Sequence, residues 1–193
     1  EVNGEFLAEI QSYNKKLMSV EVIKKIRNLD EKTDVWILFA PVKKTPTEYI
    51  IQKATELGVS KILPVVTERT ITKSLNLKRF QDIAIEASEQ CERITIPEIF
   101  PLQKLYDVID KWGDKRTIYY ADETMRHEKQ STNNFNKLIK APSGAILVGP
   151  EGGFTMKEKG YLKQKKFIIP INFGQRVLKS DTAVITGLGF WQT

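Results

Sequence analysis

The sequence is poor in the residues that build disulfide frameworks and Cys/His metal sites. Its 193 residues include one cysteine, Cys91, and one histidine, His127. A single cysteine cannot form an intrachain disulfide, and one Cys with one His cannot supply the usual zinc ligand set. A Ser-His-Asp triad would have to use His127, and no GxSxG motif accompanies it. We therefore predict no metal site, and interpret Cys91 as a core residue and His127 as a surface residue.

The sequence also lacks the long apolar segments of membrane and secreted proteins. No apolar run approaches the roughly 20 residues that a membrane-spanning helix requires, so no membrane partner is predicted. The first residues, Glu1-Val2-Asn3-Gly4, are polar and do not resemble a secretory signal. A single free cysteine without a targeting segment is typical of the reducing cytoplasm. We therefore expect a cytoplasmic protein.

The chain has the composition of a folded domain with excess positive charge. Hydrophobic residues make up 41% and charged residues 28% of it, which is typical of a globular protein with a sizeable core. The 30 Lys and Arg residues against 24 Asp and Glu residues give a formal net charge of +6. This excess favours a polyanionic partner such as nucleic acid, although lysines on solvated helix faces explain it equally well.

The N-terminal segment has the alternating pattern of two β-strands, at residues 6–10 and 18–26, with turn residues between them. Two strands cannot form an independent domain. We interpret residues 1–32 as the C-terminal part of a small β domain that is incomplete here. Residues 33–193 then form the principal domain.

From residue 34 onward, apolar runs typical of buried strands alternate with helical patterns. Strands are predicted at residues 35–40, 61–66, 117–121, 145–148 and 167–173. Helices are predicted at residues 45–57, 76–91, 102–112, 135–139, 156–165 and 182–191. We expect helix N-caps at Thr45 with Glu48, at Asn76, and at Thr155 with Glu158. The alternation predicts an α/β fold with a mainly parallel sheet, in which ligands bind at the carboxyl ends of the strands.

Residues 146–154, ILVGPEGGF, connect a predicted strand to a capped helix through Gly149, Gly152 and Gly153. Glycine lets the backbone take positive φ and approach a ligand closely. The segment matches neither GxxxxGK[ST] nor GxGxxG, so neither phosphate-binding loop is indicated. A tight turn would explain one or two of the glycines but not the acidic Glu151 between them, which favours ligand contact.

A second glycine-bearing segment, residues 172–183, again leads from a strand to a helix. Gly174 permits a sharp exit from the strand, and Ser180 or Asp181 can cap the helix. Arg176 and Lys179 place positive charge beside the helix start, where a solvated surface is an equally simple explanation. Because both segments follow strands of a parallel sheet, they are expected at one sheet edge, which predicts a small-molecule site.

Together, the motifs GPEGGF and FGQRVLKSDTA resemble the RsmE family of 16S rRNA uridine-N3 methyltransferases, which belongs to the SPOUT superfamily. The upstream segments are similar to further elements of that family: Lys43-Lys44, QKATELGV at residues 52–59, the stretch from Pro64 to residue 70, and EASEQCER at residues 86–93. The resemblance covers the chain from about residue 35 to its C-terminus, in the family's order.

The resemblance implies a trefoil-knotted sheet, a homodimer, and a PUA-like RNA-binding barrel of which residues 1–32 are a remnant. It implies S-adenosylmethionine as the methyl donor, with no metal, and the 16S rRNA of the small ribosomal subunit as the partner. Asp122 and Glu123 are expected at the edge of the site. The implied donor-binding residues belong to the two glycine-bearing segments: Val148, Gly149, Pro150, Gly152, Gly153, Phe173, Gly174, Val177, Leu178 and Thr182.

Methylation of uracil N3 requires loss of the N3 proton, and the negative charge then spreads onto O2 and O4. We predict Arg176 as the clamp on these oxygens or on a phosphate, and Asp181 or Glu151 as the base or an orienting group. Stabilisation by cations alone, with solvent taking the proton, is the alternative that needs no base.

Contacts to RNA are predicted for Lys43, Lys44, Arg69, Arg93 and Lys179. Lys179 stands where the family usually has Arg, and Lys keeps the charge but loses the bidentate geometry. Structural alternatives are that Arg93 caps a helix C-terminus and that Arg69 pairs with a carboxylate.

Three other functions stay open at this point. The first is an RNA-binding protein with the SPOUT fold and no methyltransferase activity. The second is a SPOUT methyltransferase that acts on another RNA, and the third is a nucleotide-binding enzyme of another kind. Calorimetry with S-adenosylmethionine distinguishes the first and third from a methyltransferase.

Overall fold

The computed structural model describes residues 4–28, 34–113, 116–126 and 141–191. The strands in these ranges are β1 Glu5–Tyr13, β2 Met18–Arg27, β3 Asp34–Phe39, β4 Lys61–Val66, β5 Glu98–Ile99, β6 Gln103–Lys104, β7 Ile118–Ala121, β8 Ser143–Val148 and β9 Ile168–Ile171. The α-helices are α1 Lys44–Glu56, α2 Leu77–Gln90, α3 Leu105–Asp110, α4 Met156–Lys163 and α5 Ser180–Trp191, and Glu123–Met125 form a 3₁₀ turn.

The principal sheet has the strand order β5-β4-β3-β8-β7-β9, with β6 also paired to β4, and all of these pairings are parallel. Consecutive side chains of a strand point to opposite faces, so each face needs its own cover. Ile37 and Phe39 pack in the same cluster as residues of α1, α2 and α5, whereas Leu38 packs with residues of α3 and α4. The predicted α/β fold with a mainly parallel sheet and flanking helices is therefore confirmed.

Local helix signals were correct at two of the three predicted caps. The Asn76 side chain accepts a hydrogen bond from the backbone N–H of Arg79, and Thr155 forms the capping box with Glu158. The prediction at Thr45 was wrong, because α1 begins at Lys44 and has no side-chain cap. Proline is tolerated throughout the first helical turn, so Pro46 did not fix the first residue.

The turn before α1 is held by a different threonine. The Thr47 hydroxyl accepts from the backbone N–H of Val42 at 3.1 Å and lies 3.3 Å from the carbonyl oxygen of the same residue. Both backbone groups of Val42 are thereby engaged, and the N-cap of α1 lies at Lys43, two residues before the predicted Thr45.

Three further predictions needed correction. Cys91 is exposed at the C-cap of α2, because the helix ends at Gln90 before its apolar face reaches Cys91. The helix predicted at 102–112 is shorter, since Gln103–Lys104 pair with β4 before α3 begins. Helix α5 begins at Ser180, so Ser180 and Asp181 lie in its first turn. His127 and the helix predicted at 135–139 lie outside the described residues.

The two predicted N-terminal strands are confirmed as an antiparallel hairpin of β1 and β2. The hairpin is exposed along nearly its whole length. The Arg27 guanidinium donates to the carbonyl oxygen of Glu92 at 2.7 Å, which joins the end of the hairpin to the turn after α2. In the part of the chain that the structure describes, the helices are too short or too polar to span a membrane.

Candidate functional site

The carboxyl ends of β7, β8 and β9 meet at one edge of the parallel sheet, as predicted. A hollow opens there, and we call it the sheet-edge hollow; its space, counted together with the adjoining open solvent, is about 490 Å³. Its walls come from the ends of the three strands, the two glycine-bearing segments and the turn after β7: Ala121, Asp122, Glu123, Val148, Gly149, Pro150, Gly153, Phe154, Ile171, Asn172, Phe173, Arg176, Leu178, Ser180 and Ala183.

The first glycine-bearing segment is folded tightly against its neighbours. Gly153 has φ of +65°, and its N–H donates to the carbonyl oxygen of Pro150 at 2.8 Å. A Cβ at Gly153 would lie 3.0 Å from Oε1 of Glu123, and one at Gly149 would lie 3.0 Å from the ring of Phe154. A side chain at either position would therefore push into the walls of the hollow.

A hydrogen bond joins the second segment to the first. Ser180 Oγ donates to the carbonyl oxygen of Gly149 at 2.8 Å, and both residues line the hollow. Gly174 has φ of +113°, and its N–H donates to Oδ1 of Asn172 at 2.7 Å. These contacts fix the path by which the chain leaves β9 and returns beneath the first segment into α5.

A buried ionic cluster supports the floor of the sheet-edge hollow. Lys159 of α4 donates from Nζ to Oδ1 of Asp122 at 2.8 Å and to Oε1 of Glu123 at 3.2 Å. Asp122 is fully buried and also accepts hydrogen bonds from the Tyr120 hydroxyl and from Thr124. An ion pair out of water is tolerated only when its remaining polar atoms are hydrogen-bonded, as these are.

The pKa values of the cluster reflect this arrangement. Burial alone would raise the pKa of the Asp122 carboxyl, but hydrogen bonds from Lys159, Thr124 and Tyr120 hold that pKa below its ordinary value. Burial would lower the pKa of the Lys159 ammonium, but Asp122 and Glu123 hold it above its ordinary value. Both groups are therefore charged at neutral pH.

A second, wider depression lies on the other side of the first glycine-bearing segment. It contains about 1910 Å³ of open space, and we call it the cationic groove because Lys43, Lys44, Arg69 and Arg79 line it. The other lining residues are Pro41, Val42, Thr47, Glu48, Ile71, Thr72, Ser74, Leu75, Asn76, Phe80, Pro150, Glu151 and Gly152. Pro150 lines both depressions, so residues 149–153 form the wall between them.

Arg69 is held at this wall by its own hydrogen bond and by those of the preceding residue, Glu68. Its guanidinium donates to the carbonyl oxygen of Gly152. The preceding residue, Glu68, accepts from the hydroxyl of Thr155 at 2.8 Å and from that of Tyr106 at 3.1 Å. The Thr155 hydrogen bond holds the pKa of Glu68 below its ordinary value, and burial with the nearby Glu68 carboxylate raises the pKa of Tyr106 to about 12.

The structure brings together many of the residues that the sequence proposed for the donor. Six of the ten line the sheet-edge hollow: Val148, Gly149, Pro150, Gly153, Phe173 and Leu178. Gly152 lies instead in the cationic groove, and Gly174, Val177 and Thr182 line neither depression. The expectation that Asp122 and Glu123 edge the hollow agrees with its lining.

The three residues proposed for catalysis are separated. Arg176 lines the sheet-edge hollow, and Glu151 lines the cationic groove. Asp181 lines neither, and its Oδ1 accepts a hydrogen bond from the N–H of Thr182 at 2.8 Å. This contact satisfies one of the free N–H groups at the start of α5.

The residues proposed for RNA contact also divide. Lys43, Lys44 and Arg69 lie together in the cationic groove, whereas Lys179 is exposed outside it. Arg93 lies elsewhere and donates to the carbonyl oxygens of Thr55 and Val59, both at 2.7 Å. The alternative that Arg93 caps a helix C-terminus therefore matches its contacts, although the helix is α1 rather than its own.

Two residues of the site went unnoticed in the sequence. Arg79 lies in the cationic groove, in the first turn of α2, where its charge looks like that of any exposed helix residue. Lys159 is one of three Lys residues in α4, and it is the buried one. The capping box of Thr155 and Glu158 fixes the rotation of α4, and that signal could have placed Lys159 on its inner face.

The chain is similar to known RNA methyltransferases over most of its length. Residues 28–192 match the model of the RNA methyltransferase domain family. The ribosomal RNA small subunit methyltransferase E of Rickettsia conorii is 33% identical over 189 residues, which is 96% of this chain and 75% of that protein.

Two solved structures are similar over nearly the whole chain. One is a ribosomal RNA small subunit methyltransferase E from Neisseria gonorrhoeae bound to S-adenosyl methionine, with a TM-score of 0.84, 25% identity, and coverage of 97% of this chain and 77% of that one. The other is a Legionella pneumophila protein in complex with the cofactor SAM, with a TM-score of 0.80, 29% identity, and coverage of 98% and 78%.

Proposed function

The chain belongs to the RNA methyltransferase domain family that includes the ribosomal RNA small subunit methyltransferases E, and we propose from this that it methylates 16S rRNA at N3 of a uridine, with S-adenosylmethionine as donor. One observation carries the proposal: two glycine-bearing segments enclose a hollow at the carboxyl edge of a parallel sheet, and the cationic groove lies directly across one of them. The hollow suits a small molecule, and the groove suits a polyanion.

The residues of the sheet-edge hollow fit the donor. Val148, Phe173 and Leu178 offer apolar surface for a purine, and the lack of side chains at Gly149 and Gly153 lets a ligand approach the backbone closely. Glu123 adds negative charge to the wall of the hollow, which favours a ligand with a net positive charge. When bound, the donor supplies a methyl group already activated by a sulfonium leaving group, so we propose transfer without a metal ion.

Arg176 is assigned to the charge that develops on the uracil. Its side chain belongs to the lining of the hollow, and a guanidinium there stabilises negative charge on O2 or O4 as the N3 proton is lost. The lone pair of N3 forms the new bond to carbon while the bond between carbon and sulfur breaks. A cation in this position stabilises the transition state, in which the uracil becomes negatively charged, more than it stabilises the complex with the donor.

The proton acceptor is proposed to be Glu151 or solvent. Glu151 lies on the groove side of residues 149–153 and is exposed. Asp181 already accepts a hydrogen bond at the start of α5, so we assign it to orientation of that helix rather than to proton transfer.

The cationic groove is proposed as the surface that receives the RNA. Lys43, Lys44, Arg69 and Arg79 would neutralise phosphates there, and α1 opens on the groove without a side-chain cap. Lys179 remains a proposed contact at the start of α5. We leave Arg93 out of this surface because its guanidinium binds backbone carbonyls.

The remaining features follow from the family rather than from the site. We propose that the principal domain contains the trefoil knot of the SPOUT superfamily, supported by the insertion of β8 between β3 and β7. Residues 1–32 are proposed to belong to a PUA-like domain, and the active form is proposed to be a cytoplasmic homodimer.

A methyl-transfer assay tests the proposal. Small ribosomal subunits from a strain that lacks this modification are incubated with the protein and with S-adenosylmethionine carrying a labelled methyl group, and the product is mapped by mass spectrometry. We expect one labelled uridine in 16S rRNA that carries the methyl group on N3. RNA binding without transfer would instead support a non-catalytic role, and label in another RNA would support a different substrate.

A further inference from the structure

Glu123 is a carboxylate at the wall of the sheet-edge hollow, and within the described residues only one of its two oxygens accepts a hydrogen bond. Oε1 accepts from Lys159 at 3.2 Å, and the side chain remains 41% exposed. Among the described residues, nothing donates a hydrogen bond to Oε2. Because a Cβ at Gly153 would lie only 3.0 Å from Oε1, the carboxylate and the glycine-bearing segment face each other closely.

The other acidic group of the hollow is already saturated. Asp122 is fully buried, and its carboxylate accepts from Lys159, from the Tyr120 hydroxyl at 2.9 Å and from the Thr124 hydroxyl at 2.7 Å. Asp122 therefore anchors Lys159, and Lys159 in turn holds Glu123. Of the two carboxylates that line the hollow, only that of Glu123 keeps an oxygen without a donor in the part of the chain that the structure describes.

We propose that Glu123 accepts hydrogen bonds from the ribose hydroxyls of the donor nucleoside, and that Lys159 is the positioning residue that holds it there; this rests on the proposed function. A carboxylate with an unused oxygen suits the vicinal diol of a ribose, since a carboxylate only accepts hydrogen bonds and both hydroxyls donate. An acid beyond a strand of a parallel sheet recognises ribose in this way in dinucleotide-binding folds. Hydrogen bonds to a charged group are stronger than those between neutral groups. The site should therefore prefer a ribonucleoside over a deoxyribonucleoside.

A binding cycle between side chain and ligand tests the contact. Calorimetry measures the affinity of the wild type and of Glu123→Ala for 5′-methylthioadenosine and for its 2′-deoxy and 3′-deoxy analogues. We expect at least one of the two deoxy analogues to bind the wild type about tenfold or more weakly than 5′-methylthioadenosine does. A loss of this size is what removal of a hydrogen bond to a charged group causes. The same loss should change binding to Glu123→Ala less than about twofold, because the acceptor is gone. Glu89→Ala, an exposed carboxylate of α2, is the matched control and should behave as the wild type.

The other outcomes overturn the proposal in distinguishable ways. If Glu123→Ala binds 5′-methylthioadenosine normally but S-adenosylmethionine weakly, the carboxylate faces the amino acid part of the donor. If the deoxy analogues bind the wild type as well as the parent compound does, the diol has no acceptor in the protein. If the wild type binds neither S-adenosylmethionine nor 5′-methylthioadenosine, the proposed function fails and this assignment fails with it.

Variants of Lys159 test the positioning role in the same cycle. In the wild type, the deoxy analogues should bind more weakly than 5′-methylthioadenosine, and we call this loss of affinity the hydroxyl penalty. Lys159→Met should reduce the hydroxyl penalty, whereas Lys159→Arg, which keeps the charge, should largely retain it. Lys163→Met, four residues further along α4 and exposed, is the control and should leave the penalty unchanged. A penalty that stays unchanged in Lys159→Met would show that Lys159 serves stability alone. If Lys159→Met does not fold, Lys159→Arg and Glu123→Ala still decide the matter.

Discussion

The two depressions on either side of residues 149–153 differ in packing and in charge. The sheet-edge hollow has closely packed backbone, apolar side chains and a buried ion pair beneath it, whereas the cationic groove is wider and has exposed cations. Gly153 lines the first and Gly152 the second. Because the turn from Pro150 to Gly153 separates the two depressions, adjacent glycines of one short segment line different surfaces.

The largest difference between the two sides should appear in stability. Lys159→Met leaves the Asp122 carboxylate buried without its cation, so we expect a loss of about 3–5 kcal/mol in the free energy of unfolding. Arg79→Ala in the cationic groove removes an exposed charge and should cost less than about 1 kcal/mol. Urea denaturation measures both, with Lys163→Met as the control for α4. Equal losses would mean that the Asp122–Lys159 pair is not buried in solution.

The next largest effect concerns catalysis. Arg176→Ala should reduce kcat about 10²-fold or more, as removal of a preorganised oxyanion donor does. The affinity for S-adenosylmethionine should change much less, because the guanidinium is assigned to the uracil. Single-turnover methylation and calorimetry separate the two quantities. An equal loss in both would reassign Arg176 to the donor.

Much of this comparison could be predicted from the sequence, and the failures have local causes. The glycine-bearing segments are predicted at one sheet edge because they follow strands of a parallel sheet, and this depends only on the direction of the strands. Thr45 was misassigned since proline is accepted at several positions of a first turn. Cys91 was misplaced because helical periodicity does not show where a helix ends.

The sequence did not predict the positions of Lys159 and Arg79, because these positions depend on contacts between residues that are far apart in the chain. Lys159 is buried because it meets Asp122, 37 residues earlier. Arg79 belongs to the groove only because the N-termini of α1 and α2 line the same depression. Charge patterns along a chain do not contain this information.

A smaller effect should be visible in the pH dependence of stability. The pKa of Asp122 is lowered on folding, so its contribution is present above the ordinary value of 3.8 and is lost as the pH falls through the folded pKa. The pKa of Lys159 is raised, so its contribution is present below 10.5 and is lost as the pH rises through the folded pKa. The difference in unfolding free energy between the wild type and Asp122→Asn/Lys159→Met should therefore be constant near neutral pH and change at both extremes. A difference independent of pH would contradict this.

A still smaller change should appear in RNA binding. Lys44→Ala should weaken binding of a 16S rRNA fragment and reduce the slope of log K against log salt by about one unit, because one phosphate contact is lost. Lys163→Ala should leave the slope unchanged. An unaltered slope in Lys44→Ala would remove Lys44 from the RNA surface.

The most direct test of the account compares two adjacent glycines by calorimetry with S-adenosylmethionine. Gly153→Ala places its Cβ 3.0 Å from Oε1 of Glu123 and displaces that carboxylate from its place in the hollow, so the donor should bind roughly tenfold more weakly. The same side chain sits at positive φ, which should lower the stability of the protein by about 1–2 kcal/mol. Gly152→Ala directs its side chain at Arg69 across the groove and should leave donor affinity within about twofold of the wild type. Equal losses in the two variants, or a larger loss in Gly152→Ala, would contradict the assignment of the two sides.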